Sequence, residues 1–293
     1  MKGAFLVLAG AALWGTTGTT QALAPGGADP LTVGAVRTVL GGVILLAWAA
    51  AGRKIRFDRP WPLLPTLGAV VAIAAYQPLF FSGVRLAGVA AGTLIGIGSS
   101  PVVTGFLGRI FLKERPAPRW YFATSAALAG CYLLVPPGGS RAEIAGIGLA
   151  ALAGASYSVY TLCSKRLLRD HSAAEVPAVV FAGASILLAP LLFARPPVWV
   201  LSVRGAAAAL HLGAVTLALA YVLFSAGLRR VSAAAAATLT LAEPLVATLL
   251  GIFLLGEKIT GAGAAGMALL FGCLSFLAAP GARKSSAGRG KTP

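Results

Sequence analysis

The chain has 293 residues, of which 58% are apolar and 11% charged, and its net charge is +16. Soluble domains carry roughly 25% charged residues, so this composition excludes a water-soluble protein that covers its cores with polar surface. The positive charge does not point to nucleic acid: Lys and Arg sit at the ends of apolar runs, in short loops and on the tail, as anchors facing anionic lipid and cytoplasm do.

A membrane span needs about 20 residues at 1.5 Å rise each. On that measure the chain predicts ten spans, at 3–23, 32–51, 63–85, 88–111, 119–137, 144–164, 174–194, 205–227, 232–255 and 261–280. Met1 and Lys2 before the first run could suggest a signal peptide. No polar mature domain follows, so the run is read as a first span. PGGADP separates the first two spans, GRKIRFDRPWP the next, KERPAPR follows the fourth and PPGGSRAE the fifth. The short turns at Arg85–Ala87 and Arg229–Val231 are the weakest separators. Trp61, Trp120 and Trp199 fall near span ends, where indole rings commonly anchor at the interface. Cys131, Cys163 and Cys273 lie in apolar runs without metal or redox spacing and read as packing residues. The tail 281–293 is basic, lacks apolar periodicity and is expected to be disordered and cytoplasmic.

Orientation follows from Lys and Arg counts. With the N-terminus inside, 18 basic residues fall on the cytoplasmic side and 5 outside, with Arg37 left within span two. Both basic ends then share one side, which requires an even number of spans.

The two halves resemble each other at an offset of 143 residues. Residues 81–114 match 224–257, pairing Phe81 with Phe224, Ser82 with Ser225, Pro101 with Pro244, Gly108 with Gly251 and Glu114 with Glu257. The same register pairs Gly3 with Gly146 and sets Trp14 against Tyr157. Each half would hold five spans, in domains 1–137 and 138–280. An odd number makes the second half enter from the opposite face. The expected fold is therefore an all-α membrane protein of two inverted five-helix repeats with both termini cytoplasmic, an arrangement suited to alternating access.

The motifs ALWGTTG at 12–18, Arg37 with Gly41 and Gly42, SSPVVTGFLGRIFLKERP at 99–116 and LAEPLVATLLGIFLLGEKITGAGAAG at 241–266 resemble the drug/metabolite transporter superfamily. The branch is that of EamA-type exporters, closest in appearance to aromatic amino-acid exporters of the YddG type. The resemblance covers nearly the whole chain. It implies ten helices around a central cavity lined by spans three, four, eight and nine, with one and six nearby. It also implies export of amino acids or other small metabolites through the bacterial inner membrane, without a cofactor. The halves depart from one another where the first has Ser100 and the second Glu243, and Lys113-Glu114-Arg115 is more basic than Gly256-Glu257-Lys258.

Candidate site residues are those that break the apolar pattern. Pro101 and Pro244 lie mid-span, where proline bends a helix and frees a carbonyl, either lining a cavity or only shaping packing. Glu243 is about twelve residues from either end of span nine. An acid there faces protein interior or a water-filled cavity and could carry a coupling proton, receive a substrate amino group or pair with a base. Arg37 is a structural or anchor candidate: it could snorkel outward, form a pair, or hold a carboxylate. His211 could titrate near neutrality or be a satisfied packing residue. Trp14, Tyr76, Gln77, Tyr157, Tyr160 and Tyr221 could form a wide apolar pocket with a few polar handles, or simply pack between helices. Ser99, Ser100, Thr93, Thr238 and Thr240 could satisfy backbone groups near the kinks.

No nucleophile elbow, HExxH or Walker A sequence is present, and no repeated polar filter loop marks a channel. A phosphate site would need several convergent cations, and Arg37 is the single base within a span. The reading is a monomeric secondary transporter of amino acids, aromatic and other apolar ones, whose partners are a small-molecule substrate and the bilayer. A different small metabolite or drug is the alternative, and either cargo could be proton-coupled or facilitated.

Overall fold

A computed structural model describes residues 2–25, 28–52, 59–87, 89–133, 141–256 and 260–279. The predicted loops at 53–58 and 134–140, Glu257 with Lys258, the side chain of Thr93 and the tail 281–293 lie outside the described residues. All regular structure among the described residues is helical: α1 Lys2–Leu23, α2 Pro30–Ala51, α3 Leu63–Ala87, α4 Val89–Phe111, α5 Pro118–Leu133, α6 Arg141–Leu167 and α7 Glu175–Ala194. A 3-10 turn at Val198–Leu201 precedes α8 (Val203–Leu210), which runs through a π-helical segment, His211–Leu219, into α9 (Ala220–Leu228). The chain ends in α10 (Ala233–Leu239), α11 (Ala242–Leu255) and α12 (Gly261–Ala278).

Local chemistry sets the helix ends. Pro30 occupies the first turn of α2, where its missing N–H costs nothing. Ser202, Ser232 and Thr260 accept through their hydroxyls from the N–H groups of Gly205, Ala235 and Gly263, capping α8, α10 and α12. Ser172 and Glu175 form a reciprocal capping box before α7, with N–H to side-chain distances of 2.9 and 3.1 Å.

Seven helical stretches are long and apolar enough to cross a membrane, and Ile95–Phe111 is a shorter apolar run. Of the remaining predicted spans, α1 carries Thr16, Thr17, Thr19, Thr20 and Gln21 in its second half, and the described part of α5 has 16 residues. The exterior is apolar: Phe193 is 85% exposed, whereas Phe181 on the same helix is fully buried. Such a surface is stable against lipid rather than water.

Helix packing follows the 143-residue register. α3 packs on α6 and α9 on α1; α4 packs on α6 and α11 on α1; α2 pairs with α7 and α5 with α12. Small residues allow the close crossings. A Cβ on Gly83 would stand 3.0 Å from the Gly146 carbonyl of α6, and one on Gly227 would stand 2.6 Å from the Gly3 carbonyl of α1.

The predicted span 232–255 is present as the apolar stretch Ala233–Leu254, and its helix breaks at Thr240–Leu241. Pro244 has no N–H for the Thr240 carbonyl, which instead accepts from the Glu243 N–H at 2.9 Å in a tighter turn. The partner prolines differ: α4 runs unbroken through Pro101. One expectation needs correction, that Trp120 and Trp199 anchor at the interface. Trp120 is buried and donates from Nε1 to the Ala234 carbonyl and the Thr238 hydroxyl, at 3.0 and 2.9 Å. Trp199 is also buried and donates to Thr32 Oγ1 at 3.3 Å, and Trp61 stacks on His171 with centroids 3.8 Å apart. The buried indoles of Trp120 and Trp199 find partners inside the protein and hold helices together, whereas Trp61 is only half-buried.

Candidate functional site

A small central cavity of about 20 Å³, room for about one water, lies between α1, α2, α3, α4, α6, α9 and the break between α10 and α11. Its walls are formed by Trp14, Arg37, Tyr76, Gly96, Ile97, Ser100, Tyr157, Tyr221, Thr240 and Glu243. Three pairs of these residues are equivalent under the 143-residue register: Trp14 with Tyr157, Ile97 with Thr240, and Ser100 with Glu243. Trp14 and Tyr157 meet edge to face across the cavity, centroids 6.2 Å apart. Tyr221 adds a ring 4.8 Å from Trp14, and Tyr76 one 5.7 Å from Tyr157.

Glu243 sits in the first turn of α11, where a carboxylate is favoured by the helix dipole. Among the described residues its carboxylate accepts no hydrogen bond and forms no salt bridge. Thr240 is occupied with its own helix, donating to the Ala237 carbonyl at 2.7 Å.

Arg37 does not snorkel. It is buried, and its Nη2 donates to the backbone carbonyl of Thr216 at 3.0 Å. The π-helical segment accounts for this contact. In an α-helix the Ala220 N–H would bond to the Thr216 carbonyl. Here it bonds to Val215 and Leu217 instead, and the bypassed carbonyl receives the guanidinium. Such π insertions recur at functional sites. A backbone carbonyl orients the cation without neutralising it, and among the described residues Arg37 has no salt bridge.

Three polar atoms on the cavity walls have no partner: Trp14 Nε1, Tyr157 Oη and Arg37 Nε. Buried polar groups are ordinarily satisfied, so these donors are available to a ligand or water.

The other predicted residues lie outside the cavity wall. Tyr160 is fully buried behind it, with its ring 5.7 Å from Tyr221 and its hydroxyl unpartnered. Gln77 is buried next to Tyr76 with both amide atoms unpartnered. The Ser99 hydroxyl faces Gly154 of α6. Pro101 and Pro244 bracket the wall without lining it. His211 bonds through Nε2 to Thr16 Oγ1 at 2.9 Å and is not on this cavity wall.

Sequence reasoning missed Gly96 and Ile97, which carry no chemical signal, and the link made by Lys165. Its Nζ donates to the carbonyls of Leu228 and Val231 and lies 4.0 Å from Glu114, whose carboxylate accepts from the Ala233 N–H at 2.7 Å. Cation on C-terminal carbonyls and anion on an N-terminal N–H match the dipoles of α9 and α10.

Against known proteins, the EamA-like transporter family matches residues 1–135 and again residues 144–278. This chain belongs to the EamA-like transporter family. It is 44% identical to the uncharacterized transporter YwfM of Bacillus subtilis over 98% of both chains. It is 29% identical to the threonine/homoserine exporter RhtA of Escherichia coli K12, over 87% of this chain and 83% of that one. A crystal structure of a protein 23% identical superposes with a TM-score of 0.80 over 94% of this chain and 95% of the other, which shows a shared fold. The family and its relatives place the chain among multi-pass membrane transporters.

Proposed function

We propose that this EamA-family transporter exports amino acids, aromatic and other apolar ones, across the bacterial inner membrane by alternating access. In this reading ten spans form two inverted halves, 1–137 and 138–280, that exchange the cavity between the two faces. Both termini, with the tail 281–293, are cytoplasmic, and the unit is a monomer. The observation that carries the proposal is the pairing of opposite charges in one aromatic-walled cavity. Arg37 and Glu243 both line it, neither neutralised by a salt bridge among the described residues, beside the unpartnered donors of Trp14 and Tyr157. An amino-acid zwitterion supplies a carboxylate for the guanidinium and an ammonium for the carboxylate. Four rings give an apolar side chain a compatible wall. That RhtA exports threonine and homoserine supports amino acids in general as cargo.

A second reading, proton exchange, is favoured by Glu243 alone: an acid in a membrane cavity with no hydrogen-bond donor on it can release and take up a proton with little rearrangement. One experiment addresses both readings. Purified protein in liposomes is given a panel of labelled amino acids with and without an imposed pH gradient. Saturable flux is expected for apolar and aromatic amino acids. If a pH gradient drives accumulation, Glu243→Gln should abolish that accumulation while sparing counterflow. Absence of saturable flux for every amino acid would exclude the proposed cargo.

A further inference from the structure

The two walls related by the repeat register are chemically unequal. Gly96, Ile97 and Ser100 on α4 correspond to Leu239, Thr240 and Glu243 at the α10–α11 break. The second wall is polar and charged, whereas the α4 wall has no charge. They also differ in bulk. Leu239 is 1% exposed and fills its own helix interface, but Gly96 lines the cavity with no side chain at all.

What occupies the space beside Gly96 is a stack of rings. Tyr76, which lines the cavity, stacks on Phe80 with centroids 5.3 Å apart and planes 20° from parallel. Phe80 in turn leans on the glycine: a Cβ at position 96 would stand 3.0 Å from its Cδ2 and 3.2 Å from its Cε2. The Ala150 carbonyl of α6 closes the far side at 3.6 Å. A side chain at 96 therefore meets Phe80 and, through it, disturbs the ring of Tyr76 on the cavity wall.

We infer that the α4 wall, with Gly96, Ile97, Tyr76 and Tyr157, is a side-chain subsite for a bulky apolar amino-acid side chain, and that Gly96 sets its width. The head group sits at Arg37 and Glu243, because an apolar side chain placed against those charges would strip them of solvation without replacing it. The inference rests on the proposed amino-acid cargo and adds the residue that selects among amino acids.

The test is a ratio measured in proteoliposomes: kcat/KM for phenylalanine over that for alanine, in wild type, Gly96→Ala, Gly96→Leu and Phe80→Leu. One or two methylenes in an apolar pocket change discrimination by about 10-fold or more. Gly96→Leu should lower the ratio by at least about 10-fold, mainly through KM for phenylalanine, with Gly96→Ala between it and wild type. Phe80→Leu should move selectivity the other way, raising tryptophan relative to phenylalanine, and decides the matter should Gly96→Leu not fold. Equal loss for both substrates in the Gly96 variants, or no rise for tryptophan in Phe80→Leu, would overturn the subsite. Wild type that moves alanine but not phenylalanine would do the same. Wild type that moves no amino acid at all would instead overturn the cargo itself, and that outcome is seen before any variant is made.

Discussion

Lys113 and Gly256 are equivalent in the repeat, and both have left-handed backbone, with φ of 55° and 72°. Each ends a helix whose closing bond returns to a glycine carbonyl, over different spans: the Glu114 N–H, one residue past Lys113, reaches Gly108 at 3.1 Å, and the Gly256 N–H itself reaches Gly251. Left-handed backbone costs a residue with a Cβ about 1–2 kcal/mol and costs glycine nothing sterically. Lys113 is exposed, and its side chain makes no hydrogen bond among the described residues. Lys113→Gly should therefore stabilise the protein by about 1 kcal/mol after glycine's greater unfolded-state entropy is subtracted. Thermal unfolding in detergent reads this as a raised midpoint; a lowered one would mean that the lysine side chain supplies binding energy. At the same scale, Arg37→Gln removes the cation from the cavity while keeping a donor of similar reach. Loss of a charged hydrogen bond is worth about 1.5–3 kcal/mol. KM for amino acids should thus rise by roughly 10-fold or more, while KM for the corresponding amines, which lack the carboxylate, should hardly change. A parallel rise for both would assign Arg37 to packing alone.

The helices themselves were legible because about 20 apolar residues between charged loops admit few other structures. Their faces were not. In a soluble helix the polar side marks the exterior, but here the exterior is as apolar as the core, so Phe193 and Phe181 look alike in sequence and differ completely in environment. Trp120 and Trp199 misled for the same reason: their positions suit an interface, and only the tertiary partners Ala234, Thr238 and Thr32 turn them inward. The cavity was legible wherever its residues break the apolar pattern, as Glu243, Arg37, Trp14 and the tyrosines do. Gly96 was invisible among 37 glycines, and the π segment at His211–Leu219 has no sequence signal beyond a helical apolar run. The link at Lys165 was hidden as well, because a lysine near a helix end reads as a lipid anchor. Its structural role gives a prediction. Lys165→Met leaves the Leu228 and Val231 carbonyls without their donor and should cost about 2 kcal/mol. Glu114→Gln keeps an acceptor for the Ala233 N–H and loses only a long ion pair, so it should cost under about 1 kcal/mol. Equal destabilisation of the two variants in a detergent melt would show that the ion pair, not the helix capping, dominates.

For the whole molecule, charge carries the prediction of membrane orientation. The basic loops are distributed 18 to 5. The two repeats contribute in a consistent way only if Arg59, Arg115, Arg166 and Arg229 share one face with both termini. Arg195 and Arg204, beside the turn that leads through Val198–Leu201 into α8, are then expected on the other face. The exposed residues Pro196 and Arg229 report these opposite faces. They can be replaced singly by cysteine in a background where Cys131, Cys163 and Cys273 are changed to alanine. Two of those three native thiols are buried and the third partly so, and among the described residues the only side-chain hydrogen bond from a native thiol is the one from Cys273 to the Leu270 carbonyl, so the background should fold. In intact cells an impermeant maleimide should label Pro196→Cys and not Arg229→Cys; after permeabilisation both should react. A reporter fused after Pro293 should be active on the same side as Arg229→Cys. The reverse pattern would place the basic loops outside, against the positive-inside rule.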